Sequence, residues 1–423
     1  MHLPAPRSLD EIITDGAFIA AGVDHALAQR YGQIHNVDLH VGSVELASRI
    51  RSGEPDVMAQ ARIVSEAGEF PAQVQRIALI RDGRWQWTTR LVEGLEVTEL
   101  HDSGAPVDRL RLAARTVTGG KPVLVLPMDN SARAVVALAA PHGPLDPRRA
   151  IADGVRRFAG HIDEERAVLA YATAGGLGIA RRTRAAAVDI ELAGSTVVTL
   201  AAGSHRGAPR VTEVSGGLAA GDVLADAGYT AVEHRMLFES RYPGAAVSVD
   251  LDAGKARVAS DAGAFEARAH MIATVTGGTW TWAWADSHLR GKAIAQASLG
   301  LARCGADNGL IDLVRPTMPA AWSREQSLGM MAMPILGVWT LVTVRLNELT
   351  TGVMLIEARE LDLPAPTPEA VQAVLSTPLP EGVPRERALR AYAHNRSLRS
   401  NAARVYFPDG TAVTTNPVII ERP

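Results

Sequence analysis

Tryptophan spacing marks the clearest candidate for recognition chemistry in this chain. Thr279-Trp280-Thr281-Trp282-Ala283-Trp284-Ala285-Asp286 follows a Gly277-Gly278 turn, and His288 stands just beyond. On a strand, alternate residues share a face, so Trp280, Trp282 and Trp284 form one stripe. Such a stripe suits a packed core, an exposed platform for a peptide, sugar or base, or half of a dimer interface. Asp286 reads foremost as the N-cap of a following helix, with Ser287 competing for that place, and Asp286 with His288 as an acid–base pair is the alternative. A second cluster lies near the C-terminus. Arg385, Arg387, Arg390, Arg396 and Arg399 are opposed by only Glu386 between Pro384 and Ala403. That is a local basic patch: a solvated helix face, or a contact for nucleic acid, anionic protein or headgroups.

Several common chemistries are missing. The lysines, Lys121, Lys255 and Lys292, each follow a glycine but never in a phosphate-binding G-x-x-x-x-G-K-[ST]. Neither H-E-x-x-H nor G-x-S-x-G occurs. Ala174-Gly175-Gly176-Leu177-Gly178 lacks dinucleotide-loop spacing and follows a helical pattern, so it reads as a bend or a close helix contact. His161 before Asp163-Glu164-Glu165 reads as an acidic helix start. Cys304 is the lone cysteine, which excludes an intramolecular disulfide and a cysteine zinc cluster. No cofactor and no metal are expected.

Those residues need a scaffold. The 423 residues suggest two or three domains, and 47% hydrophobic against 21% charged residues is ample for a core. A net charge of -3 gives no general attraction to nucleic acid or anionic lipid. The amino terminus has no apolar signal region. Ser327 to Val344 is uncharged, but Pro334 and Gly337 interrupt it and its end is β-branched, so a buried helix-to-strand segment is expected rather than a membrane span. A cytoplasmic protein follows, with a protein partner compatible and neither nucleic acid nor membrane indicated. Oligomeric state is not fixed by the sequence.

The order of elements repeats. Ala17 to Tyr31 and Tyr229 to Tyr242 both have helical periodicity and a Gly or Pro-Gly stop. Alternating strands follow each: Val37 to Val41 and Val74 to Ile80 in the first, Ala246 to Leu251 and Ala267 to Val275 in the second. Gly83-Arg84-Trp85-Gln86-Trp87 then matches Gly278-Thr279-Trp280-Thr281-Trp282. Helices at Val107 to Thr118 and Lys292 to Cys304 follow, and each copy closes on a helix and hairpin. The Pro141 to Pro147 loop reads as an insertion without a counterpart.

The segment from about Gly228 to Glu360 resembles an uncharacterised actinobacterial family of unknown function marked by T-W-x-W-A-W-A-[N/D], matched here by Thr279 to Asp286. The resemblance implies no reaction. The expected fold is α+β, with two diverged copies of a helix, antiparallel meander, helix and helix-hairpin unit. The boundaries are 11–203 and 218–363, with an Arg-rich tail at 364–423. The expected role is a non-enzymatic binding or adaptor protein; the alternative is a small-molecule enzyme whose site residues converge from separate segments.

Overall fold

The computed structural model describes residues 3–40, 54–102, 104–128, 132–184, 187–192, 196–201 and 209–423. The chain divides into two compact units, Met1–Gly216 and Gly217–Pro423. Each is α+β, and each is built in the same order.

The first unit opens with helix α1 (Leu9–Tyr31), capped by the Ser8 side chain. Strands β1 (Ile34–His40), β2 (Met58–Ser65), β3 (Gly68–Arg81) and β4 (Arg84–Trp87) follow. After the short helix α2 (Thr98–His101) come α3 (Val107–Val117), β5 (Val123–Pro127) and β6 (Ala132–Ala139). The antiparallel sheet has the order β1-β2-β3-β6-β5, with β4 pairing the end of β3 beyond β2. Two helices, α4 (Pro147–Phe158) and α5 (Glu164–Ala174), pack against α1. A four-stranded meander closes the unit: β7 (Ile179–Thr183), β8 (Ala187–Leu192), β9 (Thr196–Ala201) and β10 (Arg210–Val214).

The second unit repeats this plan. Helix α6 (Ala220–Arg241) leads into β11 (Ala246–Asp250), β12 (Lys255–Ser260), β13 (Gly263–Thr276) and β14 (Thr279–Trp282). A longer connection holds α7 (Ser298–Asn308), α8 (Ile311–Val314), β15 (Thr317–Pro319), α9 (Ala320–Glu325) and α10 (Leu328–Leu336). Then come β16 (Thr340–Arg345) and β17 (Thr350–Glu357). Helices α11 (Pro368–Leu375) and α12 (Arg385–Asn395) precede the meander β18 (Arg399–Ser400), β19 (Arg404–Tyr406), β20 (Ala412–Thr414) and β21 (Ile420–Glu421).

Strand registers match position by position. Trp85 pairs with Ile80 and Trp87 with Ala78, just as Trp280 pairs with Val275 and Trp282 with Ala273. The long strands carry a bulge at the same place, between Arg76 and Ala78 and between Met271 and Ala273. A bulge adds one unpaired residue and strengthens local twist. Tyr31, at the end of α1, meets Phe70 edge-on at 5.0 Å, and Tyr242 meets Phe265 at 4.8 Å.

Four expectations are corrected. Residues 364–423 are not a separate tail, because α11, α12 and the last meander sit within the second unit. Their place corresponds to α4, α5 and β7–β10. The Pro141 to Pro147 loop is therefore no insertion: like Leu363 to Pro368, it links the sheet to the helix pair. The helix matching α3 is α10, not α7. Each lies directly before the penultimate strand of its sheet and packs on the unit's long helix. Finally, α1 and α6 begin well before their periodic stretches. α1 meets α3, α4 and α5 around its circumference, so Leu9, Ile12, Ile13, Ala17, Phe18 and Ala21 are all buried and no single stripe stands out. Close approach demands small residues: a Cβ at Gly16 would lie 2.0 Å from Thr116 Oγ1 of α3.

The uncharged Ser327–Val344 segment is a helix-to-strand element as expected, but it is buried on one side only: Leu328, Met331, Ala332, Met333, Val338, Val342 and Val344 face the core, whereas Leu341 and Thr343 are exposed. α10 contains Pro334 in its last turn and ends at Gly337, whose left-handed conformation (φ 67°) suits glycine. No helix among the described residues is long and apolar enough to cross a membrane.

Candidate functional site

The tryptophan stripe is core. Trp280 and Trp282 are 5% and 0% exposed, with rings edge-to-face at 5.3 Å. Trp282 Nε1 donates to the Asp312 carbonyl of α8 at 2.8 Å, as Trp87 Nε1 donates to the Leu100 carbonyl of α2 at 2.7 Å. Trp284 does not continue the strand. Ala285 and Asp286 amides both turn back to the Trp282 carbonyl, so β14 ends there and Trp284 reaches the same core, half-buried, by a turn. The stripe leaves no open aromatic platform at Trp280 or Trp282. Asp286 caps that turn rather than a helix: Oδ1 accepts from the His288 amide at 2.9 Å, and Oδ2 from Thr274 Oγ1 at 2.7 Å. The His288 side chain is exposed. Asp286 and His288 therefore serve turn and surface positions rather than a shared cleft.

Much of the basic patch is paired internally. Arg387 donates twice to Asp226, at 2.8 Å each, and pairs with Asp222 at 3.1 Å. Arg396 pairs with Glu233 at 3.1 Å, both side chains 9% exposed. Arg385 donates to the Thr415 carbonyl at 2.6 Å. Arg390 and Arg399 remain exposed, Arg390 with a long 3.8 Å contact to Glu386 on its own helix. Burial raises the Glu233 carboxyl despite the opposing pull of Arg396. It also pushes the Tyr392 hydroxyl up, with Glu233 adding to the effect.

The more distinctive surface is a groove flanking Trp339. Trp339 follows Gly337, at the step from α10 into β16. It lines a cavity of about 560 Å3 with Asp226, Pro334, Arg387, Arg390, His394 and Asn395. It also lines a neighbouring cavity of about 320 Å3 with His234, Glu357 and Asp362. His234, from α6, stacks on Trp339 with centroids 6.3 Å apart and planes 17° apart. Its buried Nδ1 has no hydrogen-bond partner among the described residues. Burial, with help from Arg396, lowers His234 from 6.5 to about 4 and keeps it neutral near pH 7. Asn395 is oriented by a 3.0 Å bond to Thr230 Oγ1.

The first unit lacks this set. Registers of the matched helices and strands put Val23 where His234 stands, Leu169 for Arg390, Thr173 for His394, Ala174 for Asn395, Ala139 for Glu357 and Lys121 for Trp339. By contrast the docking pair is kept: Arg166 of α5 donates to both oxygens of Asp15 at 2.6 and 2.7 Å and reaches Glu11 at 3.6 Å. The groove was not anticipated because it gathers residues from three distant segments. A signal for the helix correspondence was present, in Glu165-Arg166-Ala167-Val168-Leu169-Ala170-Tyr171-Ala172 and Glu386-Arg387-Ala388-Leu389-Arg390-Ala391-Tyr392-Ala393, identical except at the fourth and fifth positions.

Residues 221–359 match the model of a family of unknown function, DUF6882. That segment holds α6 and the second sheet but stops before α11 and α12. No curated protein and no solved structure matches the chain.

Proposed function

We propose that the chain is a non-enzymatic, cytoplasmic binding or adaptor protein made by tandem duplication of one α+β unit. In this reading the first unit is scaffold and the second carries the recognition surface, the groove at Trp339. One observation supports it above others. At matched positions the units keep the same packing and docking residues, yet aromatic, cationic and amide side chains gather around one groove in the second alone. A concave site with a few convergent polar groups is the usual form of a small-ligand site. The experiment is a ligand-observed NMR screen of a fragment library against the full chain and its Trp339→Ala variant. The expected result is a set of fragments whose signals change with the wild type and not with the variant. Fragments that bind both proteins alike, or none at all, would remove the reading.

A second reading, a small-molecule enzyme, draws on His234. A neutral imidazole lining a groove has the form of a general base. Turnover of any groove-binding fragment, abolished by His234→Gln without loss of binding, would favour it.

A further inference from the structure

We propose that the groove beside Trp339 takes a small anion with a flat aromatic body, its charge held on the Arg390 side. This rests on the reading of the groove as a ligand site and adds the ligand's chemistry. The lining of the larger cavity supplies the sign. Arg387 is shared between Asp226 and Asp222 and so offers no free cation. Arg390 is different. Its side chain is 64% exposed and lines the cavity, and its ion pair with Glu386, itself exposed, is a long 3.8 Å. A guanidinium so placed can take a carboxylate or phosphate through two parallel donors, which no ammonium does. His394 and Asn395, one turn along the same helix, add side chains able to donate to that anion.

The smaller cavity fixes the orientation. Glu357 and Asp362 line it, and carboxylates repel an anion. Glu357 is already turned toward Arg268 at 3.4 Å and His270 at 3.2 Å on the neighbouring strand. The charged end of the ligand therefore belongs beside Arg390 and the neutral body beside Trp339. Indole is a stacking surface, and since His234 lies parallel to it on one side, the ligand's ring belongs on the other. The larger volume suits a ligand of one or two rings with its charged group. In the first unit Leu169 replaces the guanidinium and Lys121 the indole, so the same ligand finds neither a two-point donor nor a stacking partner there.

Titration calorimetry with four probes tests this on the full chain: 1-naphthoate, its neutral isostere 1-naphthamide, 1-naphthylmethylammonium, and non-planar cyclohexanecarboxylate. Naphthoate is expected to bind best, with the amide and the ammonium weaker by roughly tenfold or more, the worth of one charge-assisted contact. Cyclohexanecarboxylate should also fall behind. Arg390→Gln, at an exposed side chain where the melting temperature is expected to stay at the wild-type value, should cost naphthoate roughly tenfold and the amide little. Trp339→Phe, which keeps a flat ring, should retain binding better than Trp339→Ala. If amide and naphthoate bind equally and both depend on Trp339, the groove is a ligand site without charge preference and this inference alone falls. Naphthoate binding untouched by Arg390→Gln also overturns it. If no flat probe binds, and the fragment screen too yields nothing sensitive to Trp339, both readings fall together.

Discussion

Arg387 closes on Asp226 through two hydrogen bonds of 2.8 Å, one to each carboxylate oxygen, and so clamps α12 to α6. The first unit makes the same clamp between Arg166 and Asp15. In both, the third guanidinium nitrogen reaches an acid one turn earlier, Asp222 or Glu11. Planar two-point pairing is specific to arginine.

Arg387→Ala is therefore expected to destabilise the second unit by about 1–2 kcal/mol, a value discounted for partial exposure. Arg387→Lys should recover little of it, because an ammonium cannot match both oxygens. Chemical denaturation of both variants checks this; full rescue by lysine would show that charge alone matters.

Trp282→Ala should cost about 3–5 kcal/mol, the range for removing a large buried aromatic. Trp282→Phe should cost less but not nothing, since the Asp312 carbonyl loses its indole donor. Loss of near-ultraviolet circular dichroism alongside the fall in melting temperature is the measurement. A Trp282→Ala protein that melts like the wild type would contradict its place in the core.

Ending the chain at residue 363 should prevent the second unit from folding. Ala225 and Tyr229 of α6 pack on Val371, Leu375, Ala388, Leu389 and Tyr392, all supplied by α11 and α12. Truncation exposes that face and strands Asp226 and Glu233 without their arginines. A 217–363 fragment is expected to aggregate or to melt without cooperativity, whereas 217–423 contains the whole core. A cooperative, monomeric 217–363 fragment would refute this.

His234 gives stability a pH dependence of known sign. Its folded pKa of about 4 lies below its ordinary 6.5, so the unfolded chain binds the proton more tightly. The neutral imidazole's contribution is complete above about pH 6.5 and is lost progressively as pH falls toward 4, by up to about 3 kcal/mol. Burial also raises Glu233, so its proton uptake is separated by comparison with His234→Leu. Denaturation from pH 4 to 7 should show a steeper fall for the wild type than for the variant; parallel curves would count against a buried neutral His234.

The repeated Gly-x-Trp-x-Trp strand was legible because two rare residues keep their spacing wherever the strand goes. The Ser327–Val344 segment was legible for a similar reason, since Pro334 and Gly337 act locally. Unit boundaries were not. The closing meander of the second unit has strands as short as Arg399–Ser400 and Ile420–Glu421, too short for alternation to register. Its helix α12 looked like a solvated basic face because the acids that neutralise Arg387 and Arg396 lie on α6, far away in sequence. The groove was hidden likewise: Trp339 was visible as a single aromatic, but nothing local announces that His234 and Arg390 meet it.

The buried pair of Glu233 and Arg396 has one further consequence. At the matched positions the first unit carries Gly22 and Gly175, so both members differ together. Either charge alone would be left in a nearly dry setting, which costs far more than losing both. Replacing residues 385–396 by 164–175, each helix with its C-cap, would preserve the arginine–aspartate clamp, because Arg166 would find Asp226, but would set Gly175 opposite a lone Glu233. Such a hybrid is expected to carry an unpaired buried carboxylate, and a lower denaturation midpoint of the exchanged chain would register it.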